Sequence, residues 1–113
     1  MRSTKLATMD RGWFVGAFEP SALVTDACEV ALKSYKAGDR DAKHFHKIAT
    51  EVTLIVSGRI LMLGCEFGPG DIVVVEPGEA VDFFAITDAV NVVVKVPGAL
   101  DDKYIAGQGV ELG

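Results

Sequence analysis

The stretch GDRDAKHFHKIATEVTLIVSG, residues 38–58, carries the residues that decide the fold. It contains both histidines of the chain, His44 and His46, and Glu51 follows five residues later. Residues two apart in a strand point to the same face, so both imidazoles can converge on one point inside a barrel. A bend in the chain after His46 would return Glu51 to the same interior. The stretch therefore predicts a cluster of two imidazoles and one carboxylate.

Two imidazoles and one carboxylate form a facial ligand set with open coordination positions. Such a set suits Fe(II) and also accepts Mn, Ni, Co or Zn. A pair of histidines two residues apart is equally compatible with the exposed face of a surface strand. The spacing alone leaves both interpretations open.

The spacing in this stretch matches a known motif at each of its positions. The first motif of the cupin superfamily is a glycine, five residues, His-x-His, three or four residues, a glutamate, six residues and a glycine. Gly38, His44, His46, Glu51 and Gly58 stand at those positions, so the chain resembles a cupin. The resemblance implies an all-β double-stranded β-helix, a jelly-roll barrel. It also implies a divalent metal held by His44, His46 and Glu51, with Glu51 as the catalytic residue.

A second cupin motif is matched only in its first half. Gly70-Asp71, the apolar residues 72–75 and Pro77-Gly78 follow the motif. The third metal-binding histidine of the family is replaced by Val81, and its asparagine by Ala85. The resemblance therefore implies a metal with one imidazole fewer than is usual in the family.

The valine at position 81 leaves two functional hypotheses open. One is a small metalloenzyme of isomerase or dioxygenase type, acting on a small polar oxygenated substrate such as a sugar derivative, a keto acid or a diketone. The other is a non-catalytic module that binds a small ligand with or without metal, since the replacement of the third histidine by Val81 allows a metal-free site. Asp82 is the nearest substitute ligand, if a one-residue bulge after Pro77-Gly78 turns it inward.

Glycine and proline at short intervals separate segments rich in Val, Ile, Phe and Thr, which is the layout of an all-β barrel. Strands are expected over residues 13–18, 28–35, 44–46, 51–57, 60–63, 72–75, 81–86 and 90–96. Residues 36–43 are expected to form a polar loop. Residues 72–75 lack polar alternation and are expected to be buried on both faces. No window of a dozen residues has helical periodicity.

The composition limits the classes of partner. The length of 113 residues suits one domain, 1–113, with a core of about 13–97 and an extension at each end. The chain has 16 acidic and 11 basic residues, a net charge of −5 and no basic run, which disfavours nucleic acid and anionic membranes. No signal or membrane segment is recognised, so a cytoplasmic location is expected. Cys28 and Cys65 are interpreted as small apolar side chains rather than ligands.

The expected partners are a small-molecule ligand and a second copy of the chain. Residues 13–18 are the candidate interface strand of a homodimer, and Trp13 is expected to be packed. Four aromatic residues either line a ligand cavity or belong to the core: Tyr35, Phe45, Phe83 and Phe84. The C-terminal residues 101–113 either lie over the barrel or fray.

Overall fold

The chain folds into two five-stranded antiparallel sheets that face each other, and the computed structural model describes residues 1–107. Sheet A has the order β1-β2-β9-β4-β7, and sheet B has the order β10-β3-β8-β5-β6. The strands are β1 Trp13–Val15, β2 Glu29–Tyr35, β3 Arg40–Phe45, β4 Thr50–Ser57, β5 Ile60–Met62, β6 Cys65–Phe67, β7 Ile72–Val75, β8 Val81–Ala85, β9 Ala89–Val96 and β10 Tyr104–Ile105. The helical element is one 3-10 turn, Leu6–Thr8. In the described part of the chain, no helix has the length and apolar character needed to cross a membrane.

The hydrophobic core fills one end of the space between the sheets. Its buried members are Ile55, Ile60, Met62, Val75, Phe83, Ala85 and Ala89. They come from β4, β5, β7, β8 and β9, because alternate residues of each strand point inward. Burying each large side chain contributes about 1.5–3 kcal/mol. The other end of the interior is left for polar side chains and a cavity.

The outer face of sheet A is aliphatic across four strands. The strand register aligns its side chains in two rows, Val30-Val94-Val52-Val74 and Leu32-Val92-Leu54-Ile72. The prediction that residues 72–75 are buried on both faces is wrong, since Ile72 is 63% and Val74 51% exposed. β7 is the edge strand of sheet A, and its missing alternation reflects an apolar outer face rather than a covered one.

Several predicted strand boundaries are corrected by the pairing. β3 begins at Arg40, inside the predicted polar loop, because Arg40 and Asp41 pair with β8 while the side chains of residues 40–43 stay exposed. His44 and His46 were expected to open a strand, yet His44 lies near the end of β3 and His46 follows it. β5 ends at Met62, one residue before the predicted bound, and pairs with β6 and β8.

The C-terminal segment lies over the barrel as far as it is described. β10 pairs with β3, placing Tyr104 opposite Phe45 and Ile105 opposite His44. The aromatic rings of Phe45 and Tyr104 stack with centroids 5.5 Å apart. The part of the predicted tail from residue 108 to 113 lies outside the described residues. Residues 101–107 therefore close one side of the open end.

Candidate metal centre

A cavity of about 470 Å³ opens between the polar ends of the two sheets. Its wall includes His44, His46 and Glu51, so the structure brings the predicted ligands to one cavity. Of the four aromatic residues named from the sequence, Tyr35 and Phe83 line this cavity, with ring centroids 4.4 Å apart.

His44 is fixed by the backbone of its own strand. It is 8% exposed, and its Nδ1 donates a hydrogen bond of 2.8 Å to the carbonyl oxygen of Ala42. Burial lowers the pKa of His44, an effect that the bond to Ala42 only partly opposes. The ring is therefore neutral at pH 7, and its Nε2 keeps a free lone pair, as a metal ligand requires.

His46 is held from both sides. It is 4% exposed; its Nδ1 donates to the carbonyl oxygen of Asp102 at 2.6 Å, and its Nε2 lies 3.0 Å from Oε2 of Glu51. A carbonyl and a carboxylate oxygen only accept hydrogen bonds, so both ring nitrogens carry a hydrogen when both bonds form. Nε2 can become a metal ligand only after its hydrogen has left.

Glu51 lies on the inner face of β4 beside His46. Burial alone would raise the pKa of Glu51, but the hydrogen bond from His46 and the nearby positive charge of Lys95 hold it below the usual value. In the register of sheet A, Glu51 lies opposite Lys95 of β9. Glu51 is therefore a carboxylate at pH 7. The predicted return of Glu51 to the interior beside the histidines is confirmed for its contact with His46.

Asp102 fixes the turn between the histidines and β4. Its carboxylate accepts hydrogen bonds of 3.0 Å from the backbone N–H groups of Lys47, Ile48 and Ala49. Burial alone would raise the pKa of Asp102, but these three bonds lower it. The same residue's carbonyl orients His46, so one C-terminal residue holds both the turn and the ring.

Three features of the donor set agree with a divalent transition metal. Nδ1 of His44 and of His46 is bonded to a backbone carbonyl, which leaves Nε2 as the ligand atom of each ring. Glu51 supplies the carboxylate. The two imidazole rings meet edge to face, with centroids 5.6 Å apart. Within residues 1–107, no three His, Cys, Asp or Glu side chains are already arranged to hold a metal ion. The donors fit the metal chemically, and binding requires the His46–Glu51 hydrogen bond to open.

Val81 occupies an apolar position directly opposite His44 in the β3–β8 register. It packs against the core cluster, so this side of the site offers no donor atom. Asp82, the substitute named from the sequence, accepts a hydrogen bond of 2.7 Å from the backbone N–H of Leu63. Its carboxylate therefore supports the turn between β5 and β6.

Sequence reasoning missed polar residues of the inner wall. Lys33 and Lys95 point inward from β2 and β9, and both lie over the ring of Trp13. Asn91 is 1% exposed on β9. Glu29 and Lys33 lie on one face of β2, and apolar residues lie on its other face. This pattern could have predicted the polar wall, because the charged face of a strand can point into a polar cavity as well as to solvent. No local signal marks Asp102, which acts on residues more than 50 positions away.

Comparison with known proteins supports the fold independently of any sequence match. No family model matches the chain, and no curated protein matches it in sequence. A double-stranded β-helix protein from Klebsiella pneumoniae superposes with a TM-score of 0.61 at 22% identity, covering 66% of each chain. A sugar phosphate isomerase of the cupin superfamily from Silicibacter pomeroyi gives 0.60 at 19% identity, covering 71% of this chain and 63% of that one.

The nucleoside dehydratase Pac13, described as a β-barrel, is a third similar structure. It superposes with a TM-score of 0.63 at 19% identity, over 71% of this chain and 68% of that one. The chain spans about two thirds of the length of these three proteins. The protein has the cupin fold, the double-stranded β-helix. The resemblance drawn from the two sequence motifs is thus confirmed at the level of the fold.

Proposed function

We propose that the protein is a small cupin metalloenzyme whose divalent metal is held by His44, His46 and Glu51. The observation that carries the proposal is the pair of Nδ1–carbonyl hydrogen bonds. Because Nδ1 of each ring is already bonded, Nε2 is the nitrogen that could bind the metal. Fe, Mn, Ni, Co and Zn all accept this donor set. The fold's occurrence in a sugar phosphate isomerase and a nucleoside dehydratase supports a small polar oxygenated substrate.

The chemistry follows from the cavity's own groups. When bound, the metal supplies Lewis acidity toward a substrate hydroxyl or carbonyl oxygen. Glu51, ionised at pH 7 and beside His46, accepts or returns a substrate proton, which makes it the candidate catalytic residue. Burial raises the pKa of Tyr35, so its hydroxyl stays protonated as a potential hydrogen-bond donor in the cavity. Isomerisation and dioxygen-dependent oxidation are the two reaction types this arrangement supports.

Metal analysis tests the proposal. The protein, purified without chelator, should contain close to one equivalent of metal, and a His44→Ala/His46→Ala double variant should contain none. Glu51→Gln should weaken metal retention about tenfold or more, because it removes the anionic ligand. Glu29→Gln is the matched control: Glu29 is also a buried glutamate on the inner face of sheet A, but it bonds the backbone N–H of Ala99. A wild-type protein that binds none of the five metals would overturn the proposal.

A non-catalytic small-ligand module is the second candidate function, and Val81 favours it. With an apolar residue opposite His44, the site offers fewer protein donors than a fully ligated centre. Screening the metal-loaded protein against ketone, sugar and catechol substrates separates the two functions. Turnover that disappears in Glu51→Gln supports the enzyme. Saturable ligand binding with no turnover in any class supports the module.

We also propose that two copies of the chain associate through the outer face of sheet A. The two aliphatic rows lie on four adjacent strands and contain no charged residue. A chain with a net charge of −5 would repel a second copy through a charged face, whereas an apolar face associates favourably. β1, the interface strand expected from the sequence, lies at the edge of this sheet with Trp13 directed to the cavity. A monomer in light scattering at micromolar concentration would contradict the dimer.

We also propose that the protein is cytoplasmic. Cys28 and Cys65 are both free thiols in the structure, and free thiols persist in reducing compartments.

A further inference from the structure

We propose that Asn91, Lys33 and Tyr35 form a hydroxyl-binding subsite in the cavity, and that the ligand is an uncharged polyol, a sugar or a sugar alcohol. This inference rests on the proposed function, because it names the substrate class of the same cavity. It selects uncharged hydroxylated compounds over the keto acids and diketones that the metal site alone would also accept.

Asn91 provides a buried acceptor. Its Oδ1 has no hydrogen-bond partner among the described residues, and the residue is 1% exposed although it lines the cavity. In the β4–β9 register it lies opposite Ile55, a member of the hydrophobic core, so its amide marks the end of the cavity that borders the core. A buried acceptor without a donor is unfavourable, and a ligand hydroxyl would supply that donor.

Two donors lie beside this acceptor on β2. Lys33 is directly opposite Asn91 in the β2–β9 register, and Tyr35 follows it by two positions on the same inner face. Both line the cavity, and within residues 1–107 neither the ammonium group nor the phenol forms a hydrogen bond. A hydroxyl group can accept a hydrogen bond from one of these donors while it donates to Asn91. A carboxylate or carbonyl oxygen only accepts and cannot satisfy Asn91.

The charge of the cavity wall also disfavours an acid. Among the described residues, the wall contains eight carboxylates against four lysine and arginine side chains. Even a bound divalent metal would leave carboxylates in excess. An anionic ligand would therefore be repelled, whereas an uncharged polyol would not.

Lys33 already has a negative charge nearby. Burial and the positive charge of Arg11 lower the pKa of Lys33, whereas the negative charge of Asp41 raises it. Burial, with a further contribution from Asp41, raises the pKa of Tyr35. Asp41 is therefore close to both donors of the subsite. The ammonium group can donate to a hydroxyl without requiring an anionic ligand.

Trp13 lies between the subsite and the candidate metal centre. In the register of sheet A it is on the row of Ala31, which separates the row of Lys33 and Asn91 from the row of Lys95. The row of Lys95 also contains the carboxylate of the candidate metal centre. Asn91 and Lys95 are four residues apart on β9, or about 13 Å. A ligand that binds Asn91 and reaches the metal centre therefore passes the indole ring and has a chain of several carbon atoms.

Trp13 provides the measurement, since it is the only tryptophan in the chain and lines the cavity. Chelator-treated protein is titrated at millimolar concentrations with sorbitol, mannitol and xylitol, and with gluconate, mannonate and xylonate, in which a carboxylate replaces one terminal hydroxymethyl group. Saturable change in tryptophan emission is expected with at least one sugar alcohol, and its acid should bind about tenfold more weakly or worse. Acids that bind as tightly as the sugar alcohols, or no saturation by any sugar alcohol, would overturn the subsite.

Variants test whether Asn91 and Tyr35 hold the ligand. Asn91→Leu and Tyr35→Phe each remove one hydrogen-bonding group and should weaken binding of the sugar alcohol about tenfold. Tyr104→Phe is the matched control, because it removes the same hydroxyl from a tyrosine outside the cavity lining. It should leave affinity within about twofold. Equal losses in Tyr35→Phe and Tyr104→Phe would contradict the proposal.

The melting temperature distinguishes a ligand-binding amide from a structural one. Leucine replaces the amide of Asn91 by an apolar group of similar shape, so the ligand-free variant should melt a few degrees higher while binding is lost. Thr53→Val removes a buried hydroxyl that already donates to Glu51 and should not raise the melting temperature. A lower melting temperature with unchanged binding in Asn91→Leu would assign the amide a structural role and overturn the subsite. If Asn91→Leu does not fold, unchanged binding in Tyr35→Phe has the same meaning.

The His44→Ala/His46→Ala variant separates this inference from the metal site. Polyol binding that persists in this variant supports the subsite, even if no metal binds the wild-type protein. Polyol binding that is lost with the histidines but survives Asn91→Leu and Tyr35→Phe would place the ligand at the histidines and overturn the subsite.

Discussion

His46 shows how a single ring can depend on a distant residue. Its orientation comes from a carbonyl 56 positions later, and the turn behind it is held by the carboxylate of that same residue, Asp102. An outer partner on a ligating histidine fixes the tautomer and the ring plane, and its loss typically lowers metal affinity 10- to 100-fold. The sequence predicted His44, His46 and Glu51 because their spacing is local. It could not predict Asp102, whose partners are brought to it only by the fold.

We expect Asp102→Asn to weaken both the fold and metal binding. The amide retains one acceptor oxygen for the three N–H groups that the carboxylate now serves, so the free energy of unfolding should fall by about 1–3 kcal/mol. Metal affinity should also fall, because a weakened turn holds the backbone carbonyl of Asp102 less firmly against Nδ1 of His46. Urea unfolding and metal titration measure the two effects.

Asp101→Asn is the matched control for that substitution. Asp101 is the exposed neighbour, and its φ of 57° is tolerated by asparagine. Its stability and metal affinity should stay close to those of the wild type. A loss in Asp101→Asn equal to that in Asp102→Asn would show that the segment, rather than the Asp102 carboxylate, is responsible.

At the scale of elements, the predicted strand bounds are correct where apolar residues and turns mark a strand. They are wrong where only hydrogen bonding to a neighbouring strand defines it. The predicted bounds of β4 and β9 agree with the observed ones to within one residue, because each strand is rich in β-branched residues and is bounded by turns. β3 was partly taken for a loop, because its first four residues are exposed and three of them are charged, and it is the pairing of Arg40 and Asp41 with β8 that makes this segment a strand. The two-residue β10 has no pattern of its own and exists through its pairing with β3.

The turn after β4 requires glycine for two separate reasons. Gly58 has a φ of +82°, and a Cβ there would lie 2.1 Å from the backbone oxygen of Asp88. Gly64 has a similar φ of +75° with nothing within 4 Å of its Cβ position. Both positions disfavour other residues by about 1 kcal/mol, but only Gly58 adds a backbone clash.

We therefore expect Gly58→Ala to cost more than Gly64→Ala. The free energy of unfolding should fall by about 1 kcal/mol for Gly64→Ala and about 3 kcal/mol for Gly58→Ala. Denaturant unfolding of both variants checks the difference. Equal losses would mean that the backbone conformation alone accounts for the glycine at position 58.

At the scale of the whole molecule, sheet A has two different faces. Its inner face is polar near the cavity, with Lys33, Asn91 and Lys95, while its outer face is aliphatic. Sequence patterning assumes that apolar faces point inward, which is why residues 72–75 were expected to be covered on both sides. The assumption fails in β2 and β9, because several of their inward-facing residues are polar and line the cavity while their outward-facing residues are aliphatic.

The proposed dimer predicts that the Ile72→Lys/Val74→Lys variant is monomeric at concentrations at which the wild type is expected to be dimeric. Both side chains are more than half exposed, so the charges should leave the fold intact while opposing contact with a second copy. Light scattering and a thermal unfolding curve report the two properties. Leu63→Lys, at a 52% exposed position in the turn between β5 and β6 of sheet B, is the control and should stay dimeric. Dissociation by Leu63→Lys as well would place the interface elsewhere.

The hydrogen bond between His46 and Asp102 also has a consequence for the order in which the protein folds. A nascent chain that has emerged only as far as β9 already contains His44, His46 and Glu51, yet lacks the carbonyl that orients His46. Contacts between residues far apart in sequence form late, since the intervening chain must first be closed into a loop. The three candidate ligand groups are therefore expected to reach their final arrangement after both sheets have paired, so that the proposed metal would load after synthesis of the barrel instead of guiding it.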